Sequence, residues 1–223
     1  MFRKSNFTSS YFSYIKKMKK KYTQLKLHPK RQNSFPFTTL HGNKTQLKNC
    51  MLLPNPLNRF YPKIYVDSIY DVPYKRLIQR NIEGLIFDID NTLAPFDIDE
   101  PNDKLVKFIA KLKSMGFKIC LVSNNKECRV QVFNKKLSLP VVAKAGKPKL
   151  SGIRKAIDMI GTECEKTALI GDQVFTDMWC GNRLSMTTVL VKPIANRDEF
   201  TVKLKRGLEK IVIRIYLKGR QKR

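Results

Sequence analysis

Asp88 and Asp90 are the residues of this chain whose type and spacing most directly suggest chemistry. They lie two residues apart at the end of the apolar run 84–87, which has the length and composition of a buried β-strand. On a continuing strand both carboxylates would point to the same side and repel each other unless a cation lay between them. The motif therefore indicates either a metal site with two working acids or a turn at a strand end, where Asp, Asn and Thr are also favoured.

Polar and charged residues also follow three other predicted strands. The apolar runs are residues 117–122, 141–143 and 167–170. The residues that follow them are Ser123 and Asn124, then Lys147, and then Asp172 with Asp177. Predicted helices near 103–115 and 127–137 separate these runs, and strands that alternate with helices predict a parallel sheet, whose ligands bind beyond the carboxyl ends of its strands. We therefore expect acids, a hydroxyl and an amine to meet at one edge of the sheet.

The order of these residues resembles the four motifs of the haloacid dehalogenase (HAD) superfamily. The blocks FDIDNTLAP, VSNN, Lys147-Pro148 and GDQVFTD, together with residues 65–71, are similar to those of small bacterial YqeG-type HAD-IIIA phosphatases. The resemblance covers about residues 51–220, and the same group is similar to the mitochondrial phosphatase that acts on phosphatidylglycerophosphate. It implies an α/β fold, a Rossmann-like three-layer α/β/α sandwich around a parallel sheet, and a phosphoric monoester hydrolase activity.

The resemblance also implies a role for each residue of the motifs. Asp88 would be the nucleophile that forms an aspartyl-phosphate, and Asp90 would protonate the leaving oxygen and then activate the hydrolytic water. Ser123 would hydrogen-bond a phosphoryl oxygen, and Lys147 would offset its negative charge. The further substrate-binding candidates are Thr92 and Asn124.

A magnesium site is implied in the same way. The ligands would be the carboxylates of Asp88 and Asp172 and the backbone carbonyl of Asp90, because oxygen ligands and retained waters suit Mg²⁺ better than zinc. Asp177 would orient these ligands. Taken singly, the acids could instead cap a helix, Ser123 could be a turn residue, and charge alone does not distinguish Lys147 from neighbouring lysines. Both histidines lie far upstream and no P-loop is present, so the sequence does not support a Ser-His-Asp site, a histidine-bound zinc or a P-loop hydrolase.

The spacing of the motifs leaves no room for a cap domain. The intervals between Asp88, Ser123 and Lys147 each hold one helix and one strand, and a domain needs about 50 residues or more. Because lids normally exclude water, a capless site is expected to stay open and to suit a large substrate, such as a lipid headgroup, a protein, a nucleic acid or a carbohydrate polymer. An oligomeric partner could also supply a lid.

The positive charge of the chain is concentrated in its two ends. Of the formal net charge of +26, residues 1–80 carry +15, residues 81–200 carry +3 and residues 201–223 carry +8. Basic ends are typical of proteins that bind anionic phospholipid or nucleic acid, and they can also be plain solvated tails. Together with the resemblance and the open site, they favour a phospholipid. The preferred substrate is a membrane phosphomonoester such as phosphatidylglycerophosphate. The alternatives are a soluble nucleotide, sugar or phosphoprotein substrate, and a nucleic-acid- or ribosome-binding protein on a HAD scaffold.

The chain is expected to divide into two parts. Residues 1–50 contain no Asp or Glu and little apolar periodicity, and they are predicted to form a disordered basic extension. Residues 51–223 are predicted to form the phosphatase domain, which ends in a basic amphipathic segment. That segment is expected either to cover its own domain or to lie at a membrane interface, as a helix or with partial strand character. Five cysteines without a Cys-x-x-Cys pair, and no apolar run long enough to span a bilayer, favour a cytoplasmic protein with possible peripheral membrane contact.

Overall fold

A six-stranded parallel β-sheet forms the centre of the protein. The computed structural model describes the backbone of residues 56–195 and 200–221 and the side chains of residues 57–195 and 207–218. The predicted extension at residues 1–50 lies outside the described residues, so the division of the chain near residue 50 stays a prediction. The strands are β1 (Ile64–Val66), β2 (Gly84–Asp88), β3 (Lys118–Val122), β4 (Val141–Val142), β5 (Thr167–Gly171) and β6 (Thr187–Val191).

The helices fall between the strands, as expected for parallel β-α units. They are α1 (Tyr74–Gln79), α2 (Asp103–Ser114), α3 (Glu127–Asn134), α4 (Ser151–Ile160), α5 (Trp179–Arg183) and α6 (Phe200–Gln221). The described residues also contain two 3₁₀ turns and one π-helical turn, which are Pro56–Phe60, Ile69–Asp71 and Val174–Met178. The four strands and two helices that the sequence predicts are all present, and only α3 ends clearly earlier than expected.

The sheet order is β1-β6-β5-β2-β3-β4, and every neighbouring pair is parallel. Strand β2 pairs with β5 on one side and with β3 on the other. The carboxyl ends of β2, β3 and β5 therefore lie side by side, and the residues that follow them share one edge. This arrangement confirms the Rossmann-like α/β fold.

Two hydrophobic layers cover the two faces of the sheet. All five residues of β2 are buried, as expected of a strand in a parallel sheet that is covered on both sides. Leu85 and Phe87 pack in a cluster with residues of α1, α2 and α3, while Ile86 packs in a second cluster with residues of α4. Side chains alternate along a strand, so these two clusters lie on opposite faces of the sheet. Helices therefore cover both faces, and the predicted three-layer α/β/α sandwich is confirmed.

The structure also confirms that the core carries no cap domain. Residues 89–117, all of which are described, contain a loop and α2, and residues 123–140 contain α3 and its connections. The C-terminal segment is a helix of 22 residues, without strand character. None of the described helices, α6 included, combines the length and apolarity that crossing a bilayer requires.

Candidate active site

A tight turn after β2 brings Thr92 back over Asp88. Asp88 is the last residue of β2 and is buried. The turn is closed by a hydrogen bond from the Asn91 backbone N–H to the Ala94 carbonyl (2.7 Å), and Asn91 has the positive φ of 62° that Asn tolerates better than most residues. The Thr92 hydroxyl lies 3.2 Å from Asp88 Oδ2 and 3.4 Å from Asp172 Oδ1. Thr92 therefore links the ends of β2 and β5.

Lys147 is a buried cation at the centre of the site. Its Nζ donates to Asp88 Oδ1 at 2.5 Å, to Asp177 Oδ1 at 2.7 Å and to the Val122 carbonyl at 3.4 Å. These acceptors come from three different strand ends, although Lys147 itself follows a fourth strand, β4. The convergence predicted from the sequence is therefore present for Lys147 and its acids.

The backbone of Lys147 is held by Asn124. The Lys147 N–H donates to Asn124 Oδ1 at 2.7 Å, and Asn124 Nδ2 donates to the Lys147 carbonyl at 3.0 Å. Both polar atoms of the Asn124 amide therefore fix the turn that presents the lysine, which contains Gly146 with a φ of +68°. The substrate-binding role of Asn124 stays a prediction, and the structure adds a positioning role.

Asp172 follows β5 directly, and Asp177 lies within the π-helical turn Val174–Met178 that comes next. Asp177 Oδ2 accepts from the Gln173 N–H at 3.1 Å, while Oδ1 accepts from Lys147. A Cβ atom on Gly171 would overlap the Asp177 carboxyl group, so only glycine allows this close approach. Each carboxylate oxygen of Asp177 has a donor, which fits the predicted orienting role.

The site buries more negative than positive charge. Burial raises the pKa of Asp88 well above its usual value, and the carboxylates of Asp177 and Asp172 add to this, while Lys147 opposes it. Burial acts to lower the pKa of Lys147, but Asp177 and Asp88 outweigh it and the pKa is raised. Three buried carboxylates thus share one ammonium group, an arrangement that favours a further cation.

The three carboxylates could hold a metal ion. One carboxylate oxygen from each of Asp88, Asp172 and Asp177 lies within 4.8 Å of the other two, and all three residues are buried. An all-oxygen donor set with excess negative charge fits a hard divalent cation such as Mg²⁺. The predicted metal role of Asp90 depends on its backbone carbonyl and stays a prediction.

Asp90 and Ser123 form a second polar group beside the first. Ser123 Oγ donates to Asp90 Oδ2 at 3.1 Å and accepts from the Asn125 N–H at 3.0 Å. Arg129 Nη2 donates to Asp90 Oδ1 at 3.1 Å, and its Nη1 donates to Asp99 Oδ1 at 3.0 Å. Asp90 is therefore fixed through both carboxylate oxygens.

Arg129 is the residue that sequence reasoning missed. It lies in the first turn of α3, and a cation on a surface helix is ordinarily a solvated side chain. The available signal was its position six residues after Ser123, because a helix that follows a strand directly begins at the strand's carboxyl end. Its guanidinium therefore reaches the acid that follows the neighbouring strand.

A groove of about 540 Å³ is lined in part by Thr92, whose hydroxyl contacts two of the buried acids. Most of its lining is apolar, and three of the lining side chains are unusually exposed for their type: Tyr70, Ile98 and Ile194. Lys104 and Lys192 also line it. The groove thus combines a mostly apolar wall with two lysines and one acid, Glu100, and it adjoins the site through Thr92.

The sequence is similar to a known hydrolase family and to a bacterial phosphatase. The sequence model of the haloacid dehalogenase-like hydrolase family matches residues 93–183, which include Ser123, Lys147 and Asp172. The probable phosphatase YqeG of Bacillus subtilis is 34% identical over 154 residues, which cover 69% of this chain and 90% of that protein.

More distant similarities extend to plant and algal enzymes and to solved structures. Chloroplastic phosphatidylglycerophosphate phosphatase 1 of Chlamydomonas reinhardtii is 27% identical over 66% of this chain, and the match spans 59% of that protein. The chloroplastic/mitochondrial enzyme of Arabidopsis thaliana is 24% identical over 70% of this chain, and the match spans 48% of that protein. The cobalt-bound deoxy-D-mannose-octulosonate 8-phosphate phosphatase of Haemophilus influenzae is 15% identical, with a TM-score of 0.42 over 60% of this chain and 89% of that one.

Proposed function

The chain belongs to the haloacid dehalogenase-like hydrolases and is a phosphatase of that family, and from this premise we propose a Mg²⁺-dependent phosphomonoesterase that acts through an aspartyl-phosphate on Asp88. The observation that carries the proposal is the contact of Asp88 with Lys147 beside two further buried acids. A carboxylate nucleophile needs a cationic surrounding, because the phosphate that it attacks is itself an anion.

The proposed first step transfers the phosphoryl group to the enzyme. An Asp88 carboxylate oxygen forms a bond to phosphorus while the bond from phosphorus to the ester oxygen breaks. Asp90 gives a proton to the departing oxygen, so the alcohol leaves neutral. Ser123 and Lys147 bind phosphoryl oxygens, and Lys147 also keeps Asp88 in place through its 2.5 Å hydrogen bond.

The proposed second step returns the enzyme to its starting state. Asp90 takes a proton from a water molecule, and the resulting hydroxide attacks phosphorus, which breaks the bond to Asp88 and releases inorganic phosphate. Arg129 holds Asp90 through Oδ1, so one residue can serve both steps without a change of position. The single hydroxyl proton of Ser123, which is donated to Asp90 in the free enzyme, would be donated to the phosphoryl oxygen when substrate is bound. The proton balance closes because Asp90 gives one proton and recovers one.

We propose that Asp88, Asp172 and the carbonyl of Asp90 hold the magnesium ion, with Asp177 as the orienting residue. When bound, the ion would neutralise phosphoryl oxygens and keep Asp88 ionised. The fit rests on the buried all-oxygen cluster described above and on the raised pKa of Asp88, which a cation would lower.

We further propose that the substrate is a phospholipid phosphomonoester such as phosphatidylglycerophosphate. Three observations support it: the activity for which the algal and plant relatives are named, the absence of a cap over residues 89–140, and the mostly apolar groove that is lined by Thr92, two lysines and one acid. Because the matches span 59% and 48% of those relatives, their full activity is carried over here only as a proposal. A cytoplasmic location with peripheral membrane contact is part of the same proposal.

A substrate panel tests these proposals together. Purified protein is assayed with phosphatidylglycerophosphate in mixed micelles, with nucleoside monophosphates, with sugar phosphates and with a phosphopeptide, in Mg²⁺ and in chelator. We expect the lipid to be hydrolysed with the highest kcat/KM, and only with metal. Faster turnover of a soluble ester contradicts the lipid assignment alone.

The aspartyl-phosphate is tested by acid quenching and mass spectrometry. We expect an added phosphoryl group on the peptide that contains Asp88, and none in Asp88→Asn. Asp158→Asn is the matched control, since Asp158 is an exposed acid of α4. A metal-dependent turnover that Asp88→Asn retains contradicts the mechanism. Salt-dependent RNA binding without any turnover would favour the nucleic-acid-binding alternative.

A further inference from the structure

The inner face of α6 is fixed to the domain beside the candidate site. Glu209 and Val212 are 2% and 8% exposed. Glu209 Oε1 accepts from the Phe175 N–H at 3.2 Å, and the rings of Tyr216 and Tyr61 pack with centroids 5.4 Å apart. Phe175 belongs to the π-helical turn that contains Asp177 and follows Asp172, so the helix is attached to the segment that carries both acids.

The outer face of α6 combines cations with exposed aliphatic side chains. Lys210, Arg214 and Lys218 are exposed and spaced by four residues, which places them in one row along the helix. Ile211 and Ile215, which are 50% and 39% exposed, form a parallel row on one side of the cations. Leu217, which is 41% exposed, lies on their other side.

Acidic side chains do not interrupt this face. Within residues 207–218, whose side chains are described, Glu209 is the one acid, and it is buried on the inner face. A row of three exposed cations bordered by exposed aliphatic side chains presents positive charge and apolar area side by side. It matches an interface that supplies negative charge and an apolar layer together.

We propose that the outer face of α6 docks on an anionic phospholipid bilayer. Lys210, Arg214 and Lys218 would lie among the headgroup phosphates, and Ile211 and Ile215 would enter the boundary with the acyl chains. Lysine and arginine suit this position because their apolar stems can follow the aliphatic residues while the charges reach the phosphates. Membrane binding by this face does not depend on the proposed phosphatase activity. A role of that binding in substrate capture rests on the proposed function.

Two other partners fit this face less well. In a two-fold dimer across α6, the three cations of one copy would meet those of the other without a neutralising acid. A nucleic acid would pair with the cations but would leave Ile211, Ile215 and Leu217 beside a charged backbone. The lipid surface is the partner that satisfies both classes of side chain.

Vesicle sedimentation with the full chain tests the docking. The probe is a mixture of phosphatidylglycerol and phosphatidylcholine, with phosphatidylcholine alone as the neutral surface. Lys210→Glu/Arg214→Glu/Lys218→Glu should bind the anionic vesicles about tenfold or more weakly than the unaltered chain. Lys107→Glu/Lys111→Glu/Lys155→Glu makes the same charge change at exposed positions of α2 and α4 and should bind several-fold more tightly than the α6 variant. Thermal unfolding and circular dichroism confirm that each variant folds.

A local probe separates α6 from the basic N-terminal residues, which could also bind vesicles. Ile215→Trp should lose fluorescence on vesicles that contain brominated acyl chains, after subtraction of the signal of the unaltered chain, which has one tryptophan. Val132→Trp, at a position of α3 that is 46% exposed, should not. Equal binding by the two triple variants, or quenching that is absent at position 215 in bound protein, overturns the proposal. Neither measurement depends on phosphatase activity.

Discussion

Two groups of ion pairs lie side by side at the edge of the sheet, and they differ in burial. In the inner group, the side chains of Lys147, Asp88 and Asp177 are 3%, 8% and 1% exposed. In the outer group, the side chains of Arg129 and Asp90 are 15% and 24% exposed, and Asp99 is mostly in solvent. The same kind of ion pair is therefore expected to contribute differently to folding stability in each group.

The inner group is costly to the fold, and the outer group is nearly neutral. Removing charges from water costs several kcal/mol per ion, about as much as their mutual attraction returns, and here three carboxylates face a single ammonium group. The outer pairs keep contact with water, where an ion pair contributes about 0–1 kcal/mol, but the forked guanidinium fixes Asp90 in direction. The comparison indicates that the inner group contributes to the proposed reaction through its buried charges. The outer group contributes by holding Asp90 in a fixed orientation.

The largest expected effect is that of Asp88→Asn on turnover. Loss of the proposed nucleophile should lower kcat by about a thousandfold or more, because the proposed covalent intermediate forms on this carboxylate. Initial rates on the best substrate of the panel provide the measurement. Retention of activity within tenfold would show that the inner group is structural.

The same substitution should raise the stability of the metal-free protein. The folded-state pKa of Asp88 is raised, so its protonated form is the stabilising one, and this contribution is present at low pH and lost as pH rises through the folded-state pKa. Asn mimics the neutral acid, so the melting temperature of Asp88→Asn in chelator should exceed that of the unaltered protein at pH 7, with a smaller difference at pH 4. The stabilisation that Mg²⁺ is expected to give the unaltered protein should be lost in this variant.

Lys147→Met should cost about 3–5 kcal/mol of unfolding free energy at pH 7, because it leaves buried carboxylates without their ammonium partner. Denaturant unfolding measures the loss, which saturating Mg²⁺ should partly restore. The folded-state pKa of Lys147 is raised, so its contribution is present below about pH 10 and disappears only at more alkaline pH. A loss below 1 kcal/mol would mean that the lysine is not needed to balance the acids.

Arg129→Lys should lower kcat by about tenfold while leaving the Mg²⁺-induced shift in melting temperature unchanged. Lysine keeps the positive charge but cannot bind two carboxylates through a planar guanidinium. Asp90 therefore keeps a cationic neighbour but is no longer held in one orientation. The split between kcat and metal binding distinguishes positioning of Asp90 from damage to the inner group. An equal loss of both would contradict the separation of the two groups.

The smallest effect is expected at the solvent-exposed pair of Lys136 and Glu100, whose Nζ and Oε2 atoms lie 2.8 Å apart. Glu100→Gln should leave the melting temperature unchanged, because solvent screens the pair. The result gives a reference value for the stability effects at the site, since this contact is as short as those in the inner and outer groups. A clear destabilisation would mean that contact distance outweighs burial in this protein.

Sequence reasoning identified the inner group because each member follows an apolar strand, and strand ends converge in a parallel sheet. Asp88, Lys147 and Asp172 could be found in that way, and so could the sheet itself. Arg129 could not, because its function depends on how far a helical side chain reaches across the edge of the sheet. The inward and outward faces of α6 were also undetermined, since hydrophobic residues occur on both sides of that helix.

The π-helical turn between β5 and α5 was likewise missed. It places Asp177 against Gly171, a contact that depends on one extra residue in a turn and on the absence of a side chain. Spacing along the sequence does not specify either property. The motifs therefore predicted which residues meet, and three-dimensional packing determined which atoms touch.

The lack of a cap over residues 89–140 has a kinetic consequence. Enzymes with closing lobes are often limited by reopening, whereas a cleft that never closes releases its alcohol and phosphate as fast as they diffuse. Turnover would then follow the bond-breaking steps, or the time that the enzyme spends beside its substrate. Solvent viscosity should accordingly have little influence on kcat.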